Sequence, residues 1–292
     1  MRVLGFTGTP RVVIGCFFVK KKIMKLIIII DARRADRLFR RPPRTRLGSS
    51  KCWSRDDLED GDLFIAQDVE DCFHWMGIDM ALGEHFGLPA VDAGLLRSAL
   101  THHLPDDVID IILNFGKDRV HPFLQVLPMG FSWAFHLAHE AHRSVALRAD
   151  PAMLIVEDRA PVPSLRGGRP AALLYADNAN HLGVDRERVD AQREAVSREV
   201  NAAGLDTHET VEATNLGESL GVRVDGLAGH TGPTIEKDSR LDAVLEGLER
   251  RPRISGEQLR VVVGHMTIRA LLDRNLLSIL NHVYTFIEVC MV

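Results

Sequence analysis

Cysteine is scarce in this chain of 292 residues, and its spacing argues against two kinds of small domain. The four cysteines are Cys16, Cys52, Cys72 and Cys290, and no two of them form a CxxC pair. Zinc ribbons and disulfide frameworks need closely or regularly spaced cysteines, so we expect neither. Scattered cysteines are typical of a reducing compartment, and we therefore expect an intracellular protein, cytoplasmic or nuclear.

Long apolar runs and internal repeats are also missing from the sequence. Every apolar run stays short of the roughly 18 residues that a membrane-spanning helix needs, so no membrane partner is expected. The chain is 46% hydrophobic and 26% charged, which is ordinary for a globular protein with a sizeable core. Its length predicts one large domain or two to three subdomains.

The charge of the chain is unevenly distributed. The formal net charge of −4 does not by itself suggest a nucleic-acid partner. From Lys20 to Arg55, however, there are thirteen Lys and Arg residues and only two acidic ones, Asp31 and Asp36. Such clustering is typical of surfaces that bind phosphate groups. The alternative is a solvated basic arm without a ligand.

Hydrophobic periodicity and turn residues predict a mixed α and β chain. The β-branched runs at residues 12–19 and 26–30 flank a group of lysines, which predicts a hairpin with a basic tip. Residues 63–67 and 171–175 are predicted strands. Helices are expected over residues 75–86, 133–147, 185–203 and 236–250, and from a capping box at Ser255 and Gln258 through residue 272.

Two of these predicted strands end in an acidic residue. Asp68 follows the run Phe64-Ile-Ala-Gln, and Asp177 follows Leu173-Leu-Tyr-Ala. Two carboxylates delivered from two strand ends can hold divalent cations, and a pair of such cations about 3.5–4 Å apart can clamp a phosphoryl transfer. The segment Leu127-Pro-Met-Gly-Phe-Ser-Trp-Ala lies between them in the sequence.

In this order the three segments resemble motifs A, B and C of the reverse transcriptase palm. Asp68 with Phe73 resembles motif A, Met129-Gly130 motif B, and Tyr175-Ala-Asp-Asn178 motif C. The resemblance implies that Asp68, Asp177 and Asn178 are catalytic. It also implies that Asp68, the Val69 carbonyl and Asp177 bind two Mg²⁺ ions, with Mn²⁺ as a possible substitute and Asn178 as a weak third ligand.

The same resemblance assigns residues to the nucleotide and to nucleic acid. It implies that Phe73 lies under the sugar and favours deoxynucleotides. The implied nucleotide-binding residues are Lys21, Phe73, Met129, Gly130 and Tyr175. Arg33 and Arg34 would support the fingers or bind the nucleic-acid template. Taken alone, an isolated Phe after a strand belongs more often to the core, and the Pro-x-Gly of motif B is more often a helix start.

Three departures from the family pattern bear on activity. Asn178 stands where the family has a second Asp, so the site carries one charge fewer. Ile27 stands where a second triphosphate-binding cation is usual. No Lys occurs between Asp185 and Val224, where the family supplies a general acid; His208 is a weak substitute.

The fold class implied is α+β, a right-hand polymerase with basic fingers, a ferredoxin-like antiparallel palm and a helical thumb. The expected domains are partial fingers at residues 1–60, a palm at 61–226 and a truncated thumb or connection at 227–292. The implied function is RNA-directed DNA polymerase activity of a retrotransposon-type element. Its partners would be dNTPs and an RNA or DNA template–primer duplex. A degenerate remnant that binds nucleic acid without polymerising is the alternative, and Phe73 argues against an RNA polymerase.

The helix predicted over residues 133–147 contains three histidines, which raises the question of a zinc site. His136, His139 and His142 surround Glu140 at spacings of three residues, whereas the zinc-protease motif needs two histidines four apart. We therefore expect these histidines on a helix surface that faces template or solvent.

Overall fold

The computed structural model describes residues 3–20, 26–48, 52, 63–68, 72–100, 109, 119–205, 207, 209–251 and 253–290. Contacts divide the chain into two compact units. The first unit contains Met1–Thr45 and Glu70–His142, and the second contains Arg46–Val69 and Arg143–Val292. None of the described helices is long and apolar enough to cross a membrane.

The first unit contains two small antiparallel sheets. One has the strand order β1-β6-β5, formed by Leu4–Thr7, Arg119–Leu124 and Val91–Asp92. The other is a ribbon of β2 (Gly15–Lys20) and β3 (Leu26–Asp31), in which Gly15 pairs with Asp31 and Lys20 with Leu26. The predicted hairpin is therefore confirmed, and its lysine tip lies outside the described residues.

Short helices complete the first unit: α1 (Arg33–Asp36), α2 (Cys72–Trp75), α3 (Met80–Gly83), a 3₁₀ turn (Glu84–Phe86) and α4 (Ala93–Leu100). The continuous helix predicted over residues 75–86 is wrong. Residues 76–78 instead run beside residues 125–127, where Ile78 N donates to Gln125 O and Leu127 N donates to Met76 O. Gly77 pairs with Val126 there, and Asp79 caps a new helix. Pairing with a distant segment thus overrides the local helical pattern.

The second unit is built around a five-stranded sheet with the order β10-β4-β9-β8-β7. These strands are β4 (Leu63–Asp68), β7 (Leu154–Ile155), β8 (Ala171–Tyr175), β9 (Asn178–Gly183) and β10 (Glu209–Thr210). The β10-β4, β4-β9 and β9-β8 pairs are antiparallel, and only β7 joins its neighbour β8 in parallel. Across the sheet, the four antiparallel strands lie side by side in the order fourth, first, third and second, counted along the chain. This is the strand order of a ferredoxin-like sheet.

The helix α6 (Arg186–Ala202) packs against β4 and β9. Its apolar face contains Val189, Val196 and Val200, all buried, as the 3.6-residue period predicted. The Asp185 side chain accepts a hydrogen bond from Arg188 N at the start of the helix. Gly204, with φ of +80°, follows its last turn as predicted.

The remaining chain of the second unit forms a small sheet followed by helices. The sheet contains β11 (Leu216–Ser219), β12 (Val222–Asp225) and β13 (His230–Pro233) in antiparallel order. The helical part comprises α7 (Ile235–Glu249), α8 (Gly256–Ala270), a 3₁₀ segment (Arg274–Leu280) and α9 (Asn281–Cys290). The capping box predicted at Ser255 and Gln258 is present in full.

The long helix α5 spans Ala134–Ala149, close to its predicted bounds. The surface position predicted for its histidines is wrong for two of them, because His139 is 1% exposed and His142 is 3% exposed. They fall on the same helical stripe as Ala138, Val145 and Ala146, which are also buried. His136 is half-buried and its Nδ1 lies 3.0 Å from the Thr45 hydroxyl.

Candidate active site

The turn between β8 and β9 carries Asp177. Tyr175 pairs with Asn178, so Ala176 and Asp177 are the only two residues of the turn. Ala176 has φ of +50°, a left-handed conformation that costs a non-glycine residue about 1–2 kcal/mol. The four residues of β8 that precede Tyr175 are buried. The strand is therefore fixed in the core, and the strained turn follows directly at its end. Strain of this kind is characteristic of functional sites.

Asp68 is brought to the same end of the sheet by strand pairing. It is the last residue of β4, and its direct partner on β9 is Asn178. Directly paired residues in antiparallel strands have Cα atoms about 4.5–5.5 Å apart. Two segments that are 109 positions apart in sequence are therefore adjacent, as predicted. The backbone of Asp68 is described, whereas its side chain lies outside the described part of the structure.

Asn178 contacts Asp177 directly. Its side-chain Nδ2 donates a hydrogen bond of 3.0 Å to Asp177 Oδ1, and both residues are half-buried. An ionised carboxylate only accepts hydrogen bonds, so it must be the amide nitrogen of Asn178 that faces it. The sequence predicted Asn178 as a lost charge and a weak third ligand, whereas its role as a hydrogen-bond donor to Asp177 is visible only in the structure.

Glu209 is a second feature that the sequence did not reveal. It pairs with Asp68 on the opposite side of β4 from Asn178. The strand β10 that carries Glu209 has only two residues, which is too short for a periodic signal. Among the side chains that the structure describes, no group of three or more acidic, His or Cys residues is placed to hold a metal ion.

Tyr175 has a structural contact besides its predicted place at the nucleotide. Its half-buried side chain packs against the core cluster of the second unit, which includes Leu173 and Leu182. The turn is therefore tied to the core immediately before Asp177. Two predicted residues lie outside the described part of the chain: Val69, whose carbonyl would bind metal, and Lys21, which would bind the nucleotide.

Gly130 and Met129 belong to the first unit, where they lie in a loop before α5. Met129 is 50% exposed. Gly130 has φ of +115°, and a Cβ atom there would lie 2.4 Å from the carbonyl oxygen of Ile30. Two residues later, Ser132 N donates to Asp36 Oδ1 at 2.9 Å, which ties the loop to the chain after β3. Packing alone thus requires glycine at position 130, and its role toward a nucleotide stays a prediction.

Phe73 is 9% exposed within α2, in keeping with a core position for its ring. Its role beneath a sugar stays a prediction. Phe73 and Met129 belong to the first unit, whereas Asp68 and Asp177 belong to the second.

The described Lys and Arg residues of the basic segment are all exposed. Arg33 and Arg34 both lie at the surface in α1. Arg33 forms a two-point ion pair with Asp31, with Nε 2.7 Å from Oδ1 and Nη2 2.6 Å from Oδ2. The side-chain hydrogen bonds from Arg33 lower the pKa of Asp31 to about 2. The exposed cations of this segment also include Lys20, Arg37, Arg40, Arg41 and Arg44.

Comparison with known proteins gives likeness in structure without likeness in sequence. No protein-family model and no curated protein matches the chain. A foamy viral protease-reverse transcriptase in complex with double-stranded DNA superposes with a TM-score of 0.62 at 11% identity, over 91% of this chain and 37% of that one. A complex of the foamy viral protein with an RNA/DNA hybrid gives 0.62 at 13% identity, over 98% of this chain and 31% of that one.

The chain therefore spans less than half the length of these foamy viral proteins. At such low identity the likeness shows the fold alone, a mixed α+β fold like that of a reverse transcriptase.

Proposed function

We propose that this chain is the polymerase domain of an RNA-directed DNA polymerase, which adds dNTPs to a primer 3′-end on a template. The observation that carries the proposal is the pairing of Asp68 with Asn178, which puts Asp68 beside the turn that presents Asp177. The sequence order of the three motifs and the fold likeness support it.

The residues at this end of the sheet fit magnesium. Carboxylate and carbonyl oxygens are the ligands that Mg²⁺ prefers, and Asp68, Asp177 and the Val69 carbonyl would supply them. When bound, a pair of magnesium ions would activate the primer hydroxyl and neutralise charge on the reacting phosphate. The chain's own part would be to bring Asp68, at the end of β4, beside the strained turn that carries Asp177, so that both carboxylates could hold the cations.

The other predicted residues would act on the substrates. Phe73 would exclude a 2′-hydroxyl, and Arg34 would contact the nucleic-acid backbone. Lys21, Met129, Gly130 and Tyr175 would bind the nucleotide. Arg33 would act in a structural role through Asp31, since its guanidinium is already engaged there. In this proposal residues 1–60 contribute to the fingers, 61–226 form the palm and 227–292 belong to the thumb.

Primer extension on an RNA template with Mg²⁺ or Mn²⁺ tests the proposal. We expect dNTP incorporation by the wild-type chain and its loss, by at least about a hundredfold, in Asp68→Ala and Asp177→Ala. Glu187→Ala is a matched control, because it removes an exposed carboxylate from α6 in the same unit. Incorporation that survives both aspartate substitutions would refute the assignment of the site.

A degenerate remnant is the second candidate, and Asn178 is the observation that favours it. Such a protein would retain the basic surface and bind a template–primer duplex without extending the primer. Duplex binding by a folded wild-type chain, with no incorporation under either metal, would establish the remnant. A preference for ribonucleotides would instead overturn the role given to Phe73.

A further inference from the structure

Asn178 is the best-anchored residue of the candidate site. It is the first residue of β9, and its backbone pairs with Tyr175 on one side and with Asp68 on the other. Asp177 lies next to it, within the two-residue turn between β8 and β9. A side chain on a turn keeps its orientation only when another group holds it.

We propose that Asn178 is a positioning residue, which orients the Asp177 carboxylate through its amide nitrogen rather than ligating a cation itself. The 3.0 Å hydrogen bond from Nδ2 to Oδ1 carries this proposal. It rests on the proposed function for the identity of the cation site. In a metal site such a partner fixes the direction of the ligand that it touches.

A positioning role gives Asn178, which departs from the family pattern, a different effect on the site. If Asn178 were a ligand, its amide oxygen would replace the lost carboxylate and the site would have a weak third donor. As a donor to Asp177, it instead makes a site with two carboxylates in which one is held by a neutral group. No like charge then adjoins Asp177 in the turn, whereas a second Asp would place one there.

A double-mutant cycle on Mn²⁺ affinity separates the two roles. We expect Asn178→Ala to raise the Kd for Mn²⁺ by about 10- to 100-fold, as loss of an orienting partner does. In the Asp177→Ala background the same substitution should have no further effect, because its target is gone. Asn275→Ala is the control, since Asn275 is an exposed asparagine outside the site. Additive effects of the two substitutions would mean that Asn178 ligates the cation, and would overturn the proposal.

A spectroscopic measurement on the metal-free chain tests the contact itself. With ¹⁵N-labelled asparagine, one Asn178 amide proton should resonate downfield, as expected for a hydrogen bond to a carboxylate. This shift should vanish in Asp177→Ala and largely persist in Asp177→Asn, whose side-chain oxygen still accepts. Asp177→Asn also guards against misfolding of the alanine variant. An Asn178 resonance that is the same in wild type and Asp177→Ala would refute the contact.

The two measurements also separate this inference from the proposed function. If wild-type chain binds no Mn²⁺, the metal site of the proposed function is refuted. The amide resonance would still show whether Asn178 donates to Asp177. If Mn²⁺ binds but the resonance lacks the shift, the metal site stands and the positioning role is wrong.

Discussion

Replacing Gly130 by alanine should destabilise the first unit strongly. The new Cβ would lie 2.4 Å from the Ile30 carbonyl oxygen, and the backbone at φ of +115° is one that side chains rarely adopt. A left-handed non-glycine residue costs about 1–2 kcal/mol, and overpacking a well-packed site costs about 1–3 kcal/mol. We therefore expect Gly130→Ala to lower the free energy of unfolding by about 2–5 kcal/mol.

Urea denaturation followed by circular dichroism and tryptophan fluorescence would measure this loss. Two other glycines separate its two causes. Gly204 has φ of +80° with open space around it, so Gly204→Ala should cost only the backbone term, about 1–2 kcal/mol. Gly167 has open space and no positive φ, so Gly167→Ala should be nearly neutral. If Gly130→Ala costs no more than Gly204→Ala, the contact with Ile30 does not constrain the loop and the reasoning fails.

Two further predictions concern the turn and the ribbon. Ala176→Gly should raise the free energy of unfolding by up to about 1 kcal/mol, because glycine adopts the positive φ without strain; an unchanged or lower urea midpoint would contradict this. The ion pair of Asp31 with Arg33 should stabilise the fold fully above pH 3.8, the ordinary pKa, and its contribution should disappear as the pH falls through about 2. A ¹³C titration of the Asp31 carboxyl should give a pKa that returns toward 3.8 in Arg33→Ala, whereas an unchanged value would exclude Arg33 as the cause.

Local patterns in the sequence were sufficient where neighbouring residues decide the structure. The apolar period of α6, the capping box at Ser255 and the two β-branched runs that flank the lysines all predicted elements that the structure contains. These signals depend on residues that lie within about one or two turns of each other.

Contacts between distant segments decided what the sequence could not. The pairing of residues 76–78 with residues 125–127 broke a predicted helix, and nothing local marks that pairing. The inward direction of His139 and His142 likewise depends on which stripe of α5 becomes buried. Histidine is polar enough for a surface and apolar enough for a core, so its type alone does not choose.

The candidate site shows the same division. The sequence by itself determined which residue types are available: two aspartates at strand ends, an asparagine after one of them, and a glycine before a helix. Only the tertiary structure decided that Asn178 pairs with Asp68 while donating to Asp177, and that Gly130 faces Ile30. Strand pairing and backbone approach join residues that are far apart along the chain, and they are set by the whole core rather than by neighbours in sequence.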